Sequence, residues 1–105
     1  VPLKQTQFSS LDTSSGVDLT PLPDVGQKIA IRQIVISVGA AMDVTLRTNG
    51  ASPVTLLKMG MTPGSPVEMR FPDWLRSTVS DKAIQVLGSI AGAVDITVWS
   101  NDLKA

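Results

Sequence analysis

Between residues 28 and 99 the chain alternates apolar and polar positions in six short runs, the period of strands that bury one face. The runs are Ile29–Val38, Asp43–Thr48, Val54–Met59, Val67–Phe71, Ala83–Leu87 and Val94–Trp99. In the second run Val44 and Leu46 face inward while Asp43, Thr45 and Arg47 face out. In the last, Val94, Ile96 and Val98 face inward and Asp95, Thr97 and Trp99 face out. The first run changes phase: Ile29 and Ile31 share one parity, Ile34, Ile36 and Val38 the other. A single extra residue has this effect, so the spacing predicts a β-bulge or bend at Arg32-Gln33. It also predicts that the two halves of the run serve different layers of a sandwich. The third run carries apolar residues on both parities and is expected to be covered on both faces.

Turn chemistry separates the runs. Asn49-Gly50 is the strongest signal, because both residues tolerate positive φ, and Pro63-Gly64 marks a second turn. Asp73–Ser77 reads as a short helical turn or tucked loop, with Trp74 capping one end of the core. Ser100–Ala105 reads as a polar tail. No amphipathic helix is present in the pattern. The fold class expected is all-β: a small antiparallel β-sandwich, jelly-roll-like, spanning residues 28–105, with an extended N-terminal arm over residues 1–27.

The arm has a different texture. Its apolar residues, among them Phe8, Leu11, Val17 and Leu19, follow neither a helical nor a strand period. Pro2, Pro21 and Pro23 block a helix through those points, and Thr20-Pro21-Leu22-Pro23 should be extended. Too little apolar residue is present for the segment to form its own core, so it is expected to lie on a partner. Phe8, Leu11 and Leu19 are the expected anchors, with Phe8 filling a pocket.

Composition sharpens this picture. A core domain of this size buries only about 60% of the surface its unfolded chain exposes. The sequence has no Cys and no His, so neither disulfides nor the usual metal ligands can brace it. Charged residues are 17% of the chain, against about 25% in ordinary domains, and the mean hydropathy is +0.22. A homo-oligomer with much of its surface covered accounts for both. Nine Lys and Arg balance nine Asp and Glu, with no basic stripe, which argues against nucleic acid as a partner. No apolar run approaches the length of a membrane-spanning helix, and the first ten residues lack a secretory apolar core, so no membrane partner is expected.

The same residue inventory bears on catalysis. Without His or Cys neither a Ser-His-Asp nor a Cys-His arrangement can be built, and there is no Tyr for acid–base work. The carboxylates are scattered singly, and Gly88–Gly92 lacks the Lys-Ser/Thr of a phosphate loop. The chain is expected to be no enzyme and to use no cofactor or metal. Trp99, outward on the last run, can stack on a sugar face or fill a subunit contact. Arg32, Arg47, Arg70 and Arg76 suit cross-strand ion pairs with Asp43 and Asp95; together with Glu68 they could equally meet charged patches on a partner or form a solvated face, which is the preferred reading.

The stretches I-R-Q-I-V-I-S-V-G-A-A-M-D-V-T-L (31–46), P-G-S-P-V-E-M-R-F (63–71) and A-I-Q-V-L-G-S-I-A-G-A-V-D-I-T-V-W (83–99) give a layout that resembles small β-sandwich proteins of tailed-phage virions. The resemblance lies in the order of strands and turns over about two-thirds of the chain. It implies a head decoration, or cement, protein: a trimer over a capsid symmetry axis that binds the major capsid protein and reaches neighbours with a terminal arm. It implies assembly on the virion surface and carries over no catalytic residue. A receptor- or carbohydrate-binding module of a tail fibre or spike, using Trp99 or Trp74 as a stacking platform, is the alternative from another functional class.

Overall fold

A computed structural model describes residues 3–77 and 79–104; Val1 and Pro2 of the expected arm and Ala105 of the expected tail lie outside the described residues. Eight strands follow one another: β1 Lys4–Ser10, β2 Val17–Asp18, β3 Gln27–Val38, β4 Met42–Thr48, β5 Thr55–Met61, β6 Val67–Arg76, β7 Ile84–Gly88 and β8 Val94–Lys104. They form two four-stranded antiparallel sheets, ordered β1-β8-β3-β6 and β2-β7-β4-β5. The all-β sandwich expected from the alternation is the fold of the chain.

The core lies where the central strands of the two sheets face each other. Ile29, Ile31, Ile34 and Ile36 of β3 and Val94, Ile96 and Val98 of β8 pack on Val44 and Leu46 of β4 and Ile84 and Val86 of β7. Each fully buried side chain of this kind contributes roughly 1.5–3 kcal/mol over leaving it exposed. The Gly50 and Gly64 turns both use positive φ, 105° and 79°.

The expected bulge is present. Pairing of β3 with both β6 and β8 shifts between Ile31 and Gln33, leaving Arg32 as the extra residue. Its consequence differs from the expectation of two layers. The extra residue restores the phase, so Ile29 and Ile31 join Ile34 and Ile36 in one core.

Other boundaries move outward for a common reason. β3 is long; β8 extends to pair with all of it, and β6 reaches from Ile36 back to Ala30. The expected polar tail is therefore strand: Gln27–Ile31 pair with Ser100–Lys104 of β8. The expected turn at Asp73–Ser77 lies mostly in β6, whose Leu75 and Arg76 pair with Ile31 and Ala30. β5 is an edge strand, so Leu56 and Leu57 are half-buried where cover on both faces was expected.

The largest correction concerns the N-terminal segment. Residues 4–10 pair along their whole length with Val94–Ser100 of β8, and Val17-Asp18 pair with Val86 and Gln85 of β7. Leu19 is a core residue at 3% exposure, and its N–H donates to the Ile84 carbonyl at 2.7 Å. A division at residue 28 into free arm and separate domain therefore fails. A seven-residue edge strand needs few apolar residues of its own, because one side of its backbone pairs with the neighbouring strand and the other is open to water.

Candidate functional site

The strand order lays out one broad face. On the outer side of the β1-β8-β3-β6 sheet, Gln5, Trp99, Gln33 and Arg70 stand in a row across the four strands. Gln7, Thr97, Val35 and Glu68 form the next row, and Ser9, Asp95 and Ser37 the third. The alternation expected for the last strand holds: Asp95, Thr97 and Trp99 face out while Val94, Ile96 and Val98 are buried. A shallow depression of about 380 Å³ runs over this face, lined by Gln7, Ser9, Val35, Ser37, Asp95 and Thr97. Its floor offers amides, hydroxyls and one carboxylate. Ser9 Oγ donates to Asp95 Oδ1 at 2.7 Å, and Gln33 Nε2 to Glu68 Oε1 at 3.2 Å.

Beside this face lies a second, smaller depression of about 340 Å³, lined by Arg32, Gln33, Arg70, Phe71 and Pro72. It arises from the bulge. Between the pairs Gln33–Arg70 and Ile31–Leu75, β3 contributes only Arg32 whereas β6 contributes Phe71–Trp74. The surplus loops outward, and Trp74 sits there at φ 64°, a left-handed conformation that is unusual for an aromatic residue. Arg32 holds the loop: its guanidinium lies 5.3 Å from the centre of the Trp74 ring, and its Nη1 donates to the Pro72 carbonyl. Such a stack contributes about 0.5–1 kcal/mol at an exposed site. The sequence signals for this feature are the phase break at Arg32-Gln33 and the Pro72 that follows Phe71.

The four expected partner-binding residues are not gathered into one site. Leu19 is in the core and unavailable to a partner. Phe8 is half-buried against the core of its own chain, opposite Ile96, so the pocket it fills is internal. Leu11, just past β1, is 83% exposed. Trp99 is half-buried in the outer row described above. The expected ion pairs to Asp43 and Asp95 are not formed among the described residues. Arg47 donates instead to Gln85 Oε1 at 2.7 Å, and Arg70 faces Glu68 at 3.5 Å. Among the described residues no group of three His, Cys, Asp or Glu converges as a metal site. No helix among them is long and apolar enough to cross a membrane.

No protein-family model matches the sequence, and no curated protein matches it.

Proposed function

We propose that the chain is a non-enzymatic structural protein of a phage virion, a capsid decoration or cement protein that sits on the major capsid protein as a homotrimer. The observation that carries this reading is the pairing scheme. β1 pairs with β8, β2 with β7, β3 with β6 and β4 with β5. This is the order obtained when a long antiparallel hairpin, strands one to four against five to eight, is rolled into two sheets. It supports a jelly roll, an architecture used by viral capsid and lectin domains. The support is an analogy of fold, joined to the low charge and positive hydropathy of the sequence.

The contact with the capsid cannot run through a free arm, because residues 4–10 and 17–19 are built into the sandwich. Exposed apolar residues on connections supply it instead. Leu11, 83% exposed, is one, with Ile90, 46% exposed, on the β7–β8 connection. Ser10 pairs with Val94, which brings those two connections to the same end of the sandwich. Co-sedimentation with undecorated capsids tests this. Leu11→Asp should release the protein from the pellet while leaving its fold intact; unchanged binding would remove this end from the contact, and no binding by the native chain would remove the cement reading.

One observation favours a second reading, a carbohydrate-binding module. Trp99 stands between Gln5 and Gln33, next to a groove of hydroxyls, amides and the Asp95 carboxylate. An aromatic face beside paired hydrogen-bonding groups suits a sugar ring. Retention on a glycan array that Trp99→Ala abolishes would favour this reading over the first.

A further inference from the structure

The two sheets have four edges, formed by β1, β6, β2 and β5. An exposed edge is a template for another strand, and proteins usually blunt it. Three of these edges are blunted. β2 has two residues. β5 is broken by a register shift at Leu56 and presents the exposed Lys58. β6 carries Pro72, which has no N–H, the looped-out segment before Leu75 and two exposed arginines, Arg70 and Arg76. β1 has none of these devices. Its seven residues pair with β8 in unbroken register, contain no proline or glycine, and include one charge, Lys4 at its start.

We propose that β1 is a self-association edge, and that its occupant is β1 of a second copy of this chain, antiparallel about a two-fold axis. Self-pairing about a two-fold is necessarily antiparallel, which continues the order of the sheet. Full overlap of Lys4–Ser10 with its own copy places Gln7 opposite Gln7, Gln5 opposite Ser9, Thr6 opposite Phe8 and Lys4 opposite Ser10. No like charges meet in that register. The outward residues Gln5, Gln7 and Ser9 are neutral; the two amides can donate and accept, and Ser9, whose hydroxyl proton goes to Asp95, can still accept from Gln5 opposite it, so the edge is complementary to itself. Pairing joins two four-stranded sheets into one of eight and extends the Trp99 face across the axis. The contact is independent of the trimer proposed above. In a trimer it would link neighbouring trimers.

Sedimentation equilibrium of the full chain tests the edge. Gln5→Lys/Gln7→Lys sets like charges directly and diagonally opposite one another across the axis and should weaken self-association about tenfold. Gln5→Glu/Gln7→Glu should do the same. A mixture of the two should associate at least as tightly as the native chain. Circular dichroism and thermal midpoints should show both variants folded, since both side chains face solvent. A native chain that stays monomeric at every concentration overturns the proposal, as do charge variants that keep the native affinity or a mixture that fails to restore it. A trimer insensitive to the charges would defeat the edge alone, whereas a native dimer that they dissociate would defeat the trimer alone.

Discussion

Thr13 and Gly88 are in contact so close that a β-carbon on Gly88 would stand 2.6 Å from the Thr13 hydroxyl oxygen. The Gly88 N–H also donates to the Thr13 carbonyl at 3.1 Å. Thr13 lies on the β1–β2 connection and is fully buried, so this contact fastens the N-terminal segment to the end of β7. Gly88→Ala would have to push Thr13, Met42 or the Ile90 carbonyl aside. It should cost about 1–3 kcal/mol, the usual cost of overpacking, measured by urea denaturation. A cost near zero would show that the connection yields freely.

The Thr13 hydroxyl supplies a second prediction. It is buried without a hydrogen-bond partner, a state that costs about 1–3 kcal/mol. Thr13→Val keeps the shape and removes the unpaired group. The variant should be at least as stable as the native chain in the same denaturation assay. A loss above about 1 kcal/mol would mean that the hydroxyl is satisfied in solution.

Removal of residues 1–20 should now destabilise the whole domain. It strips β1 from β8, removes β2 and takes Leu19 out of the core. Leu19→Ala alone should cost about 2–5 kcal/mol. A truncated chain with native circular dichroism and an unchanged thermal midpoint would restore the idea of a separable arm.

The central strands were legible in the sequence because each is buried on one face and polar on the other. Val44-Thr45-Leu46 and Val94–Trp99 show that alternation plainly, and the parity break at Arg32 marked the bulge. β1 was not legible. Lys-Gln-Thr-Gln-Phe-Ser-Ser has one apolar side chain because an edge strand that faces solvent along one side gains little by burying others. Its existence depends on backbone pairing with Val94–Ser100, which lie far along the chain. The Trp99 row was half legible. The outward parity of Trp99 was readable, but its flanking by Gln5 and Gln33 depends on strand order.

A pH dependence follows from the Lys4–Asp102 ion pair, 2.8 Å long, which ties the start of β1 to the end of β8. The hydrogen bond to Asp102 raises the Lys4 pKa above its ordinary value, against a smaller opposing effect of desolvation. A raised folded-state pKa means that the contribution is full below the pKa of an unfolded lysine and is lost as pH rises through the folded value. The Lys4 contribution should therefore persist across neutral pH and be lost as alkaline solution deprotonates the ammonium. Carbon-detected NMR titration of the Lys4 side chain should give a pKa that falls back in Asp102→Asn. The same pKa in both proteins would show that the pair does not form.

The bulge gives the sharpest test, because it predicts which of two deletions the fold tolerates. Arg32 is the one residue by which β3 exceeds β8 between the pairs Ile31–Ser100 and Gln33–Trp99. Deleting Arg32 makes the strand regular, and all four isoleucines, Ile29, Ile31, Ile34 and Ile36, then share one parity. The ladder to β8 and the core should survive. What is lost is the stack on Trp74 and the hydrogen bond to Pro72, about 1–2 kcal/mol together. Deleting Val35 has the opposite effect. It brings Ile34 and Ile36 next to each other and turns one of them out of the core, a parity error that no neighbouring strand can absorb. That chain should fail to fold. Circular dichroism and urea denaturation of the two deletion variants, side by side, decide the matter. Equal damage from both would mean that the bulge is needed for more than phase, with the Arg32–Trp74 loop as the part that the fold depends on.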